Sequence, residues 1–165
     1  YPLRRQRQMC IRDSYADIAY AQLGVDMRGL RGGGAAGGLA AGLVAFTGAT
    51  LCPGVDLVIN AYGDFEKKAA ESDFIISGEG AVDGQTLQGK VVAGVAALAL
   101  RLDKPLFVLT GMLRGDPTPL YKAGVTAVFP IAPGPVSQTQ ALEQAAQNLQ
   151  RTAESLIRTI EALLP

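Results

Sequence analysis

The chain has 165 residues, of which 48% are hydrophobic and 18% charged, a composition that can fill a core and argues against intrinsic disorder. Residues 1–14 hold four arginines and one acid, which leaves 11 basic against 14 acidic side chains elsewhere and argues against a nucleic-acid-binding surface. The absence of histidine excludes His-based triads and His metal ligands, and two cysteines are too few for a disulfide framework. The cysteine usage fits a reducing, cytoplasmic setting.

The first 14 residues differ from the rest of the chain. Their basic run has no apolar stretch after it, so it is not a secretory signal. The segment LRRQRQMCIRDS resembles a translated sequencing adapter, and we expect residues 1–14 to be non-native; a natural basic arm is the alternative.

Residues 15–72 are predicted to be helical. The pattern favours a short helix over 16–23, then a glycine-rich opening and a helix in which Leu39, Leu43 and Phe46 share one face. Further helices are predicted before Gly63 and over 64–71. Residues 32–55 carry no charge and are long enough for a membrane span, but their many glycines favour a buried small-residue helix. We therefore expect no membrane contact.

A strand–helix rhythm begins at Asp73. Short apolar runs predict strands at 73–77, 104–110 and 125–131, separated by a helix with Val91, Val95, Leu98 and Leu102 on one face and by a short helix ending at Gly124. A long closing helix follows, capped by Ser137 or Thr139. The fold class is α/β: a three-layer parallel-sheet domain over 73–165, like half of a flavodoxin-like fold, plus a glycine-rich helical segment of a second α/β domain.

Ligands of open α/β sheets bind at the carboxyl ends of the strands. Here those ends fall at 77–85, 110–116 and 132–136, and the first of these loops carries the most polar groups. We expect any chemistry to be centred there. Arg114 in the second loop could reach an anion, although a solvated loop charge is the commoner case.

Two glycine motifs are incomplete. Gly32-x-Gly34-x-x-Gly37 matches a dinucleotide fingerprint but lacks a clear preceding strand, so the glycines either allow close backbone approach or open a helix that receives an anion. Gly84-x-x-x-x-Gly89-Lys90 matches most of a P-loop, yet Val91 stands where the Mg²⁺-binding Ser or Thr belongs.

The segment Gly78–Lys90 concentrates chemistry. Between positions 79 and 90 it places two carboxylates (Glu79, Asp83), an amide (Gln85), a hydroxyl (Thr86) and an ammonium (Lys90). Phosphoryl transfer uses that mixture, with carboxylates for Mg²⁺ or a hydroxyl and a cation for phosphate. The structural alternative has Asp83 capping a helix, Lys90 solvated and Glu79 on a turn.

Four segments together resemble the glycerate kinases of the bacterial glycerate 2-kinase type: GGGAAGGLAAGL, SDFIISGEGAVDGQTLQGK, APGPVSQTQAL and NLQRTAESLIR. The resemblance runs from about Gly24 to Leu164. It implies two α/β domains with the active site in the cleft between them, and phosphorylation of D-glycerate with ATP and Mg²⁺. Family members are much longer, so we expect this chain to be a C-terminal fragment that lacks the N-terminal half and is inactive alone.

The resemblance also implies site residues. The matching motif positions are Gly78, Glu79, Gly80, Asp83, Gly84, Gln85, Thr86 and Lys90, together with Gly34, Gly37 and Gly38 of the glycine-rich helix start. Glu79, Asp83 and Lys90 are the candidate catalytic residues, and Asp83 is a candidate Mg²⁺ ligand. The chain departs from the family at Arg31-Gly32-Gly33 and at Gly111-Met112-Leu113, where a more polar loop is usual, which leaves the role of that second loop open.

Two other functions remain open at this point. The chain could be an α/β module that binds a small molecule or nucleotide without chemistry. It could also be part of a nicotinamide-dependent oxidoreductase, which would require a strand ending at Gly32.

Overall fold

The computed structural model of the chain describes residues 2–87 and 90–163. The chain divides after Cys52 into two compact units. Among the described residues, no helix has both the length and the apolar character needed to cross a bilayer.

The N-terminal unit consists of two helices joined by turns. Helix α1 spans Pro2–Leu23, a 3-10 turn spans Ala35–Gly38, and α2 spans Leu39–Thr47. Helix α1 begins well before the predicted start at residue 16, because no glycine or proline interrupts residues 3–23. Its small core is formed by Ala19, Met27 and Ala41.

The predicted packing face of α2 is wrong for this structure. Leu39, Leu43 and Phe46 are 62%, 45% and 65% exposed, whereas Ala41 is the buried residue of the helix. The helix is apolar on nearly all sides, so periodicity identified the helix but could not select the side that packs. The small side chains make the contact, and the large ones are left uncovered.

The C-terminal unit contains a three-stranded parallel sheet in the order β1-β2-β3. Its strands are β1 (Ile75–Glu79), β2 (Leu106–Thr110) and β3 (Ala127–Pro130), and Glu79 pairs with Thr110 at the carboxyl edge. Its helices are α3 (Gly54–Ala61), α4 (Phe65–Glu71), α5 (Val91–Leu102), α6 (Thr118–Lys122), α7 (Gln138–Glu143) and α8 (Ala145–Leu163). The predicted α/β fold with a parallel sheet is confirmed.

Helices cover both faces of the sheet. Val108 of β2 lies in the core with residues of α5 and with Leu120 of α6. Its neighbour Leu109 points to the opposite face, where it lines a cleft with Asn148 and Leu149 of α8. The face of α5 differs by one residue from the prediction, because Val92 is fully buried while Val91 is 58% exposed.

Helices α3 and α4 lie in the same unit as the sheet. Both contact α5, and a side chain at Gly94 of α5 would collide with Val55 of α3. The sequence placed residues 15–72 in one domain and 73–165 in another, whereas the structure places the division between Cys52 and Pro53. The absence of Cβ at Gly94 explains the difference, because it lets the two helices approach closely.

The predicted closing helix is broken in two at Gln144. Ser137 caps α7 in a capping box: its hydroxyl accepts a hydrogen bond from the Gln140 N–H, and the Gln140 side chain accepts one from the Ser137 N–H. The cap is therefore Ser137 rather than Thr139. The break brings α7 and the start of α8 to the carboxyl edge of the sheet.

Candidate active site

The loops that follow β1 and β2 are joined beyond the sheet. Val82 forms a parallel bridge with Leu113. Its N–H donates to the Met112 carbonyl at 2.8 Å, and its carbonyl accepts from the Arg114 N–H at 2.8 Å. These bonds hold the loop after β1 against the loop after β2, so the candidate residues lie on a supported segment.

A glycine is required where the two loops meet. A Cβ at Gly111 would lie 2.6 Å from the Gly80 carbonyl oxygen, and the Gly111 N–H donates to the Glu79 carbonyl at 3.2 Å. The backbone of one loop therefore packs directly against the backbone of the other at this point. Met112, which follows in the less polar sequence of this loop, is 40% exposed and lines the cleft described below.

Asp83 and Thr86 stabilise the turn between Glu79 and Lys90. The Asp83 carboxylate accepts the Gln85 N–H at 2.8 Å, and the Asp83 N–H donates to the Thr86 hydroxyl at 3.0 Å. Thr86 is fully buried, so its hydroxyl shapes the loop, whereas Gly84 and Gln85 are exposed. Asp83 does not cap α5, whose N-cap residue is Lys90 without a side-chain cap bond.

Three of the predicted residues form one charged cluster. Lys90 Nζ lies 3.0 Å from Glu79 Oε1 and 3.7 Å from Asp83 Oδ1. The hydrogen bond to Glu79, with the nearby Asp83 charge, raises the pKa of Lys90 above its ordinary value. The Glu79 side chain is 18% exposed, and its second oxygen, Oε2, is buried with no hydrogen-bond donor among residues 2–87 and 90–163. The cluster therefore has an unused acceptor beside a cation.

The cluster borders two cavities in the C-terminal unit. A cleft of about 810 Å³ opens at the carboxyl edge of the sheet, between the three strand loops and helices α7 and α8. A smaller one, of about 430 Å³, is lined by Lys90 and by the start of α3. Gly78 and Glu79 line both cavities, and Gly80 lines the larger one. A ligand in either cavity would reach the same carboxylate.

The remaining predicted glycines lie in the N-terminal unit. Gly37 and Gly38 have φ values of 74° and 105°, a region that favours glycine, while Gly34 has an ordinary φ of −74°. All three line a separate cleft of about 600 Å³ between α1 and α2. Residues 24–34 form loop and turns instead of a strand that ends at Gly32, so the dinucleotide interpretation is wrong.

Gly89 of the P-loop-like spacing lies, with Gln88, outside the described residues. Sequence reasoning missed Asn148, which is 4% exposed and lines the larger cleft. It also missed the apolar wall contributed by α7 and α8. An asparagine in an amphipathic helix gives no local signal of burial, because the pattern there is typical of a solvated face.

The sequence profile described as the glycerate kinase family matches residues 7–161. The chain belongs to the glycerate kinase family. It is 39% identical to the glycerate kinase of Bacillus subtilis (strain 168) over 135 residues, which cover 82% of this chain and 35% of the relative. It is 35% identical to the glycerate 2-kinase of Escherichia coli (strain K12), with the same coverage of both chains.

A solved structure supports the same family. A candidate glycerate kinase 2 from Salmonella typhimurium LT2 superposes with a TM-score of 0.65 and 38% identity, over 91% of this chain and 38% of that protein. The chain thus spans little more than a third of the length of these glycerate kinase family members.

Proposed function

We propose that this chain supplies one wall of the active site of an ATP-dependent kinase that phosphorylates D-glycerate. The observation that carries the proposal is the Glu79–Asp83–Lys90 cluster at the carboxyl end of β1. A cation lies there beside two carboxylates, and one carboxylate oxygen has no partner among the described residues. Membership of the glycerate kinase family supplies the substrate class.

Lys90 is the charge partner for a phosphate or for the carboxylate of glycerate. A compact ammonium is suited to either anion. Its present partners, Glu79 and Asp83, hold it at the border of the smaller cavity, beside the Glu79 that lines both, and there it can exchange a carboxylate for a ligand oxygen. The exchange would leave Glu79 free to accept other donors.

The two carboxylates fit a magnesium ion. No cluster of three or more acidic, His or Cys ligands occurs within residues 2–87 and 90–163. Mg²⁺ is nonetheless usually held by one or two carboxylates together with substrate phosphates and water. Asp83 and Glu79 would hold the ion, Glu79 through the Oε2 that no described residue contacts by a hydrogen bond, and the ion would neutralise phosphate charge.

In the proposed reaction a hydroxyl oxygen of glycerate attacks the γ-phosphorus of ATP in line. The new oxygen–phosphorus bond forms as the bond to the bridging oxygen of ADP breaks, and the hydroxyl proton passes to Glu79 or Asp83. Positioning and charge neutralisation supply most of the rate in such transfers. The chain's own part is to orient the hydroxyl and the phosphate on a loop supported by the Val82–Leu113 bridge.

The rest of the site is proposed to come from the part of the relatives that this chain does not cover, which is about two thirds of their length. We therefore expect the 165-residue chain to show little or no turnover by itself. We place the reaction in the cytoplasm, and the free Cys52, which lies outside the adapter-like segment, fits that reducing setting.

The test is a chimera in which this chain replaces the matching segment of the Bacillus subtilis glycerate kinase, assayed for ATP-dependent phosphorylation of D-glycerate. We expect activity in the chimera and its loss by about 100-fold or more in Asp83→Asn and Lys90→Met. Asp64→Asn, the same change at an exposed residue of the same unit, is the control. A folded chimera without glycerate phosphorylation, or with activity indifferent to both substitutions, would contradict the proposal.

The binding-module alternative has one observation in its favour: the larger cleft is lined mainly by apolar side chains, with only one carboxylate. Ligand binding to the chain that needs no Mg²⁺ and survives Asp83→Asn, with no turnover in the chimera, would favour this alternative.

A further inference from the structure

We infer that the cleft between the carboxyl edge of the sheet and helices α7 and α8 holds the purine base of the nucleotide, with Asn148 binding the edge of the ring. This inference rests on the proposed function, because it assigns the base of the phosphate donor to a place beside the Glu79–Asp83–Lys90 cluster.

The first argument concerns the Asn148 amide. The residue is 4% exposed and lines the cleft, so most of its side chain is held by the surrounding packing. None of the side-chain hydrogen bonds formed among residues 2–87 and 90–163 involves it. Its amide atoms are not among the fully buried, unpartnered atoms of the described residues, so the amide stays accessible where the residue lines the cleft and can pair with a ligand that both donates and accepts. The edge of adenine does both, through its N6 amino group and N7.

The second argument concerns the walls. Four apolar side chains line the cleft, the buried Leu109 and, at 40%, 70% and 45% exposure, Met112, Leu142 and Leu149. Apolar surface of this extent matches the faces of a flat aromatic ring. Glycerate is small, anionic and rich in hydroxyls, so it would leave these walls uncovered. The volume of about 810 Å³ lies in the range typical of small-molecule sites.

The third argument is continuity with the charged cluster. Glu79 lines both this cleft and the smaller cavity that Lys90 lines. Arg114 also lines the cleft, and none of the ion pairs among the described residues includes it. A base held at Asn148 would thus direct its phosphates toward two cations and toward the carboxylates proposed to hold Mg²⁺.

The test uses adenosine, which has no phosphates and requires no metal, titrated into the 165-residue chain and followed by amide NMR. We expect the Asn148 side-chain signals and those of Gly80 and Leu113 to shift. Asn148→Ala should weaken binding by about 10- to 100-fold, since it removes two hydrogen bonds. Asn148→Leu, which keeps the site filled, should do the same, and Asn60→Ala, the same change at an exposed asparagine of α3, should change nothing. Inosine, which lacks the amino group, should bind more weakly than adenosine.

The outcomes separate this inference from the proposed function. The base site would be overturned if adenosine left the Asn148 signals unchanged, or if both Asn148 variants bound adenosine with unchanged affinity. It would also be overturned if D-glycerate shifted the Asn148 signals instead. It would also be overturned if adenosine shifted Asn148 in the chain but not in the chimera, because another part of the enzyme would then fill the cleft. Kinase activity of the chimera would stand in all these cases. Adenosine binding through Asn148 in an inactive chimera would uphold the base site and contradict the proposed reaction.

Discussion

Lys90 Nζ lies 3.0 Å from Glu79 Oε1, so the residue at the N-cap position of α5 forms a salt bridge with the last residue of β1. The side chains of other lysine pairs in this unit, Lys67–Glu71 and Lys68–Asp64, are more than half exposed on both sides. Glu79 is 18% exposed, so its charge is far less solvated and depends on its partner. The contact closes the loop and holds a carboxylate beside an ammonium at the border of two cavities.

Lys90→Met is therefore expected to destabilise the chain more than Lys68→Met, because it leaves the Glu79 charge without its cation. The double variant Lys90→Met with Glu79→Gln should recover most of that loss, since the uncompensated charge is removed as well. Urea denaturation of the single and double variants measures both effects. Equal effects of Lys90→Met and Lys68→Met would mean that the pair behaves as an ordinary surface contact.

The exposed Asp116 provides a test at acid pH. Its carboxylate accepts hydrogen bonds from the Thr118 hydroxyl and N–H, and these lower the pKa of Asp116. A lowered pKa means that the stabilisation is present above the pKa of the unfolded chain and is lost as pH falls through the lowered value. Asp116→Asn should thus lower the thermal midpoint slightly at neutral pH, and the difference should vanish in strong acid. Asp73→Asn is the matched control, and a difference that persists in acid would contradict the charge-based account.

Gly111→Ala should destabilise the C-terminal unit by about 1–3 kcal/mol, the usual cost of forcing an extra carbon into a packed site. The new Cβ would lie 2.6 Å from the Gly80 carbonyl oxygen, and main chain cannot move aside as a flexible side chain can. Gly80→Ala is the control, because a Cβ there meets no atom of residues 2–87 and 90–163 within 4 Å. Urea denaturation measures both, and equal effects would show that the two loops do not meet as described.

The sequence located the sheet and the cluster better than the helix faces. Three short apolar runs bounded by glycine and proline define the strands, and parallel order then places Glu79 at the edge where ligands bind. The faces were harder to predict, because α2 is apolar on nearly all sides and neither glycine nor proline marks the break at Gln144. The burial of Asn148 depends on tertiary packing of α8, which local pattern does not encode.

Gly94→Ala tests the close approach of α3 and α5. The added Cβ would lie 2.5 Å from Val55 Cγ1, so the variant should lose about 1–3 kcal/mol in spite of the better helix propensity of alanine. Val55→Ala removes the two closest contacts and leaves the Val55 Cβ at 3.1 Å, so the same Gly94→Ala change should cost much less in that background. If Gly94→Ala were stabilising in both backgrounds, α3 and α5 would not pack closely, and a domain boundary at residue 72 would be favoured.

Two substitutions at the start of α7 test which residue caps this helix, which borders the cleft proposed to hold the purine base. The Ser137 hydroxyl accepts a hydrogen bond from the Gln140 N–H, and the Gln140 side chain accepts one from the Ser137 N–H, so Ser137→Ala removes the first of the two bonds of the capping box. We expect a loss of about 0.5–2 kcal/mol in the free energy of unfolding. Thr139→Ala removes a hydroxyl of similar kind two residues later, where no capping bond is made, and should cost a few tenths of a kcal/mol at most.

Since α7 supplies Ala141 and Leu142 to the cleft, Ser137→Ala should also weaken adenosine binding modestly, whereas Thr139→Ala should not. If Thr139→Ala had the larger effect in either measurement, the helix would begin two residues later than described, and the position of α7 in the wall of the cleft would be wrong.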